Sequence, residues 1–184
     1  MRILKMDNQG FSLAEMMVTV AIFLMMTAGF YAALAAGDAS WATNSVKMEL
    51  QSNLRTAMEA MIYELRQAGP ASIADVPADD TSYDQMTFRK PSGISVGSIV
   101  WQGDCIRFLR GGTSGNDLIR ETIPTVCSNS PSVSKVVTQN ITSLQFTRSS
   151  TKTDEITVNM QASKNTIKGL PITYNLAFTF QIRN

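Results

Sequence analysis

Hydrophobic and polar positions change pattern twice along this chain. From Phe11 to Ala36 the residues FSLAEMMVTVAIFLMMTAGFYAALAA are apolar on every side and carry one charge, Glu15. The uncharged run from Met16 to Ala36 makes about 32 Å of helix at 1.5 Å per residue, close to the thickness of a bilayer core. After Ala36 the pattern becomes one-sided. Val46, Leu50, Leu54, Met58, Met61, Ile62 and Leu65 recur at steps of three and four, with Lys47, Glu49, Arg55, Glu59, Glu64 and Arg66 between them. That spacing predicts an amphipathic helix. No proline occurs between Met1 and Gly69, and Gly69-Pro70 supplies a stop. The two stretches together predict one helix from Phe11 to about Arg66, roughly 80 Å long. Its weak points are Gly29 and Gly37, since glycine costs about 1 kcal/mol relative to alanine in a helix interior.

Beyond Pro70 the period shortens. Ala71 to Gly97 is rich in Pro, Asp, Ser and Gly and reads as loop, with a short strand near Met86–Phe88. Cys105 to Leu109 and Leu118 to Ile123 read as strands flanking a hairpin loop, Arg110 to Asp117. Ile141 to Thr147, Glu155 to Met160 and Ile172 to Ile182 alternate apolar and polar positions, the last with Tyr174, Leu176, Phe178, Phe180 and Ile182 on one face. Short strands with tight connections predict an antiparallel sheet, and the amphipathic half of the helix is the cover for its apolar face. The resulting fold class is α+β, with a single modest core in the last 115 or so residues.

Composition narrows the chemistry. The chain contains no histidine, which removes the usual general base, the Ser-His and Cys-His nucleophile pairs and the commonest metal ligand. Ser132-Val133-Ser134-Lys135 has S-x-x-K spacing without its companion S-D-N and K-T-G motifs, so a solvated loop is the better reading. Gly111 to Gly115 lacks the G-K-[ST] ending of a phosphate cradle and reads as a turn. Asp75, Asp79, Asp80 and Asp84 form a loose acidic set of the kind calcium uses, but without EF-hand spacing. No cofactor or metal is expected. The side chains beyond residue 10 balance at 14 of each sign, with no basic stripe, and nucleic acid is not an expected partner.

Glu15 is the residue physics discourages most, because a charge in a membrane-length apolar helix is costly and usually functional. Ahead of it stands MRILKMDNQG, with Arg2 and Lys5 against Asp7. An ordinary secretory signal places its apolar region before the cleavage site; here the apolar run follows Gly10-Phe11. Basic leader, Gly-Phe junction, Ser12-Leu13-Ala14 and a carboxylate five residues into the helix together resemble type IV prepilins and type II secretion pseudopilins. The head, with Val136 to Phe146, the Ile106-to-Arg120 hairpin and the terminal Gln181-Ile182-Arg183-Asn184, more loosely resembles PilW-like minor pilins and GspJ-like minor pseudopilins.

The resemblance implies a pilin-like fold: a prepilin leader over residues 1–10, a transmembrane or filament-core half-helix over 11–37, an amphipathic half over 38–69 and a β-rich periplasmic head over 70–184. It implies that a prepilin peptidase cuts between Gly10 and Phe11 and methylates the new amine of Phe11. Glu15 then neutralises the amine of a docking neighbour. The implied partners are minor and major pilins, the inner-membrane assembly platform and a tip adhesin. The protein sits in the bacterial inner membrane before assembly and in the pilus or its tip afterwards, in no enzymatic role. A leader held inside by Arg2 and Lys5 puts Cys105 and Cys127 on the oxidising side of the membrane, where they are expected to form a disulfide, two free thiols being the alternative. The implied function is a minor pilin in pilus priming, assembly or tip formation. The alternatives are a minor pseudopilin of a type II secretion system and a tip adhesion or DNA-binding subunit. Mass spectrometry of the protein from membranes is expected to show N-methylated Phe11 as the first residue; an intact Met1 in assembled material would refute the processing.

Overall fold

A computed structural model describes residues 12–127 and 130–182. Phe11 and Gly10 lie outside the described residues. One helix, α1 (Leu13–Leu65), is followed by a 3-10 turn at Pro70–Ser72 and eight strands: β1 (Ser82–Tyr83), β2 (Gln85–Ser95), β3 (Ser98–Gly111), β4 (Asp117–Ile123), β5 (Val133–Thr138), β6 (Ile141–Arg148), β7 (Glu155–Asn165) and β8 (Pro171–Gln181). The helix is continuous through Gly29 and Gly37. The chain forms two compact units that divide after Ala42.

In the first unit the side chains of α1 face outward all round, from Leu13 through Leu34. Thr19 and Thr27 return their hydroxyls to the carbonyls of Met16 and Phe23, at 2.9 and 2.7 Å. Both hydroxyls are thereby satisfied inside the helix, as an apolar solvent requires. By length and composition this is a helix able to cross a membrane. Exposed Trp41 follows Asp38, the first charge after Glu15, and suits the aromatic belt at a membrane boundary.

In the second unit Val46, Leu50, Leu54, Ala57, Met61 and Leu65 form the buried stripe of the helix. They share a core with Phe88 and Phe108 of one sheet and Phe146, Val158 and Phe180 of the other. The antiparallel head consists of two four-stranded sheets, ordered β1-β6-β7-β8 and β2-β3-β4-β5. The chain crosses between them at Asp84 and again at Gln139-Asn140, where Asn140 takes a positive φ of 66°. Three ion pairs tie the sheets to the helix. Glu64 meets Arg120 at 2.8 Å and Lys90 at 3.9 Å, and Glu49 meets Lys164 at 2.5 Å. Gly69, past the helix end at Leu65, lies against Trp101: a Cβ there would be 2.4 Å from the indole ring, so a larger residue would have to displace it.

The structure corrects two loop readings. Most of Gln85–Gly97 is strand, because β2 lies at a sheet edge where Pro91 and Gly93 are accommodated by register shifts. Val133 to Lys135, read as solvated loop, begins β5 and pairs with Thr122 to Arg120. The cysteines are joined, Cys105 to Cys127, with Cα atoms 5.4 Å apart. Arg89 donates to the Cys105 sulfur and the Thr125 carbonyl, and Arg107 to the Cys127 carbonyl, so the chain leaving β4 is clamped to β2 and β3.

Asp80, at φ 62°, accepts hydrogen bonds from the Ser150 amide and hydroxyl. The Ser150 hydroxyl first, then its amide, holds the Asp80 carboxyl below the usual carboxylate range. A carboxylate with a depressed folded value contributes stability at neutral pH that is lost as pH falls below the ordinary value through the folded one. Asp80→Asn, which tolerates positive φ, is therefore expected to lower stability at neutral pH and to flatten its decline below about pH 4. Thermal melts of both chains across that range check this, and parallel decline would refute it.

Candidate assembly surfaces

The start of α1 is the first candidate surface. Ser12 N–H donates to Glu15 Oε2 at 3.0 Å, and Glu15 N–H donates to Ser12 Oγ at 3.2 Å. This reciprocal pair is a capping box, and it satisfies two of the amides that every helix start leaves open. The S-x-x-E spacing of Ser12 to Glu15 carries this cap in the sequence. A carboxylate has about four acceptor sites, so the cap leaves Glu15 capacity for a cation. The first turn also favours its negative charge through the helix dipole.

The second surface is the β2–β3 hairpin. Between Lys90 and Asp104 thirteen consecutive residues carry no charge. Its base is pinned by Trp101 against Gly69 and by Lys90 near Glu64. Toward the turn Ile94 is 80% exposed and Val96 is fully exposed, with Ile99 and Val100 beside them. The connection is two residues, Val96 and Gly97, at φ 50° and 78°. Positive φ at both central positions is the demand of a type I′ turn, where asparagine or glycine is favoured first. A β-branched residue there is strained. An apolar side chain that is both strained and fully solvated gains nothing for the isolated fold.

The acidic set does not converge. Asp79 accepts from the Thr81 amide and the Tyr83 hydroxyl, at 3.0 and 2.8 Å, and Asp75 accepts from Thr87 and Gln85. With Asp80 on Ser150, three of the four carboxylates are occupied as local hydrogen-bond acceptors. Among the described residues no group of three or more acidic, cysteine or histidine side chains could hold a metal ion. A cleft of about 450 Å³ where the sheets part is lined by Tyr83, Gln85, Arg110, Thr142 and Gln145. Its one cation is spent on the Thr142 carbonyl, 2.5 Å from Arg110 Nη1.

Residues 5–31 match the family model of the prokaryotic N-terminal methylation motif. The chain thus carries the N-terminal signature of the type IV prepilin-like superfamily, spanning the Gly10-Phe11 junction, the capping box and most of the apolar helix. No protein of curated function and no solved structure matches the chain.

The turn yields a test. Val96→Asn is expected to stabilise the full chain in detergent by about 1 kcal/mol, by relieving the left-handed penalty. Val96→Gly checks that the gain comes from the backbone. A lowered denaturant midpoint for both would show that Val96 packs within its own chain.

Proposed function

We propose that this type IV pilin-like chain is a minor pilin that takes part in priming, assembly or tip formation of a type IV pilus. The observation that carries the reading is the methylation motif on a helix whose apolar stretch, up to Ala36, holds a single carboxylate, in the first turn. The prepilin peptidase cuts between Gly10 and Phe11, discards residues 1–10 and methylates Phe11. The apolar half-helix of residues 11–37 rests in the inner membrane and then transfers into the filament core. Its partners are prepilin peptidase, the assembly platform and other pilins, minor and major.

Glu15 has two jobs in this reading. It holds the Ser12 amide of its own chain and meets the amine of the neighbour that docks above it. A charge without a partner is heavily penalised in a low-dielectric bundle, so the pair sets the axial register of one stem against the next. The head, residues 70–184 with the amphipathic helix of 38–69, faces the periplasm. The Cys105–Cys127 bond supports that side of the membrane, since disulfides persist in oxidising compartments. A structural role, with no enzymatic one, fits a chain without histidine.

Glu15→Gln separates the two jobs, because an amide oxygen still accepts the Ser12 amide but cannot neutralise an ammonium. The variant is expected to insert in the membrane normally while its recovery in sheared filaments falls about tenfold or more. Ser12→Ala, which loses the hydroxyl cap and keeps the charge, is expected to be recovered near the normal level. Equal recovery of Glu15→Gln and the unaltered chain would refute the docking role.

A further inference from the structure

The head exposes four sheet edges, and three are protected. The β1 edge is two residues long, and beyond it Arg110 occupies the Thr142 carbonyl of β6. The β2 edge carries Arg89, Lys90 and Pro91 with two register shifts. The β5 edge is six residues long, contains Lys135 and is offset by a register shift where it meets β4. Charges, prolines, bulges and brevity are the ordinary means of preventing one edge from pairing with another chain.

β8 has none of these along its length. It is 11 residues, PITYNLAFTFQ, uncharged, with its one proline at the first position. It pairs with β7 without a register shift from Pro171 to Gln181. Among the described residues no backbone group outside β7 is hydrogen-bonded to it. Beside this edge runs a groove of about 440 Å³ between α1 and the strand, lined by Met48, Leu54, Arg55, Met58, Tyr174 and Leu176. Met48 and Tyr174 are exposed there, and Leu176 is only half-buried. Arg55 is the groove's one charge. It forms no ion pair among the described residues, although Glu59 stands one turn away.

We propose that β8 is a strand-addition site for an extended segment of another polypeptide. That segment pairs its backbone with the free edge, places apolar side chains at alternate positions over Met48, Met58 and Tyr174, and sets a carboxylate against Arg55. Main-chain bonds supply the affinity in this mode, and the pocket beside the edge supplies the selection. A second copy of β8 is the poorer occupant, because its uncharged strand offers Arg55 no counter-charge. The inference rests on the head alone and goes beyond the pilin reading, standing whether or not the chain enters a filament.

The test uses the full chain in detergent micelles and labelled nine-residue peptides that alternate valine and threonine. One peptide has a central glutamate, a second a central lysine, and a third is the glutamate peptide N-methylated at alternate residues. The glutamate peptide is expected to bind saturably by fluorescence anisotropy and to slow amide exchange in β8. The lysine peptide is expected to bind about tenfold more weakly, with the order reversed on Arg55→Glu, and the N-methylated peptide to lose binding. Absence of saturable binding up to about millimolar peptide, or equal affinity of the glutamate and lysine peptides, would overturn the proposal. A concentration-dependent dimer that the glutamate peptide fails to dissociate would instead assign the edge to a second copy and overturn it too. Loss of Glu15-dependent filament recovery leaves these measurements unaffected, so the two readings fail separately.

Discussion

The rest of this structure depends on one helix serving two different surroundings. From Met16 to Leu34 its side chains are outward and uncharged on every side; from Val46 a stripe of Val46, Leu50, Leu54, Ala57, Met61 and Leu65 is buried, while Met48 and Tyr63 stay exposed. Burying an aliphatic side chain is worth about 1.5–3 kcal/mol, so Leu50, Leu54, Met61 and Leu65 together give the head its main reason to fold against this helix. Each sheet contributes phenylalanines to that stripe, Phe88 and Phe108 from one and Phe146 from the other. Neither sheet alone encloses a core, and without the helix both would expose their inner faces.

Polar contacts specify what burial leaves open. Glu64 lies largely buried on α1, yet Arg120 of β4 and Lys90 of β2 both reach it. Its Oε2 lacks a hydrogen bond and is met only by Lys90 at 3.9 Å. A buried carboxylate is weak evidence of stability but a good one of position, because removing either cation would strand it. The sheet that includes β2 and β4 is thereby fixed to the last turns of the helix, while Glu49 and Lys164 join β7 to an earlier turn. The disulfide and the arginines Arg89 and Arg107 do the same for the chain between β4 and β5, which has little core contact of its own.

Much of this was legible from periodicity. The helical stripe, the Gly69-Pro70 stop, the hairpin turning at residues 110–117 and the alternation in β6, β7 and β8 follow from which positions must be covered. What alternation cannot convey is which strands share a sheet, so the division into two sheets was invisible. β2 was hidden because Pro91 and Gly93 are turn residues by local propensity, and only the edge position makes them tolerable within a strand. Val133 to Lys135 failed similarly: an exposed edge strand has no buried face to impose a pattern. The capping box is the opposite case. Ser12 and Glu15 announce it by spacing alone, and the cap adds to the first-turn helix-dipole role that the position of the carboxylate already implies.

The unequal treatment of the surfaces follows from what each kind of contact can encode. Apolar contact along Met16 to Leu34 is nondirectional, so in the proposed assembly it would retain a subunit without choosing its neighbours. In the assembly proposed above, a carboxylate such as Glu15 would add register along the axis and still accept any neighbour with an amine. Selection among partners requires groups whose direction matters, namely main-chain donors and acceptors on a fixed edge and side chains held in one geometry. The head supplies these where it is least protected, at the strained Val96 turn and along β8 beside Arg55. In both places the isolated fold tolerates a feature that a self-contained domain would remove, a strained solvated valine in one and an unguarded edge in the other. Such features persist most economically when another surface covers them, and on the proposals made above the head, more than the stem, would be the part of this chain that distinguishes one neighbour from another.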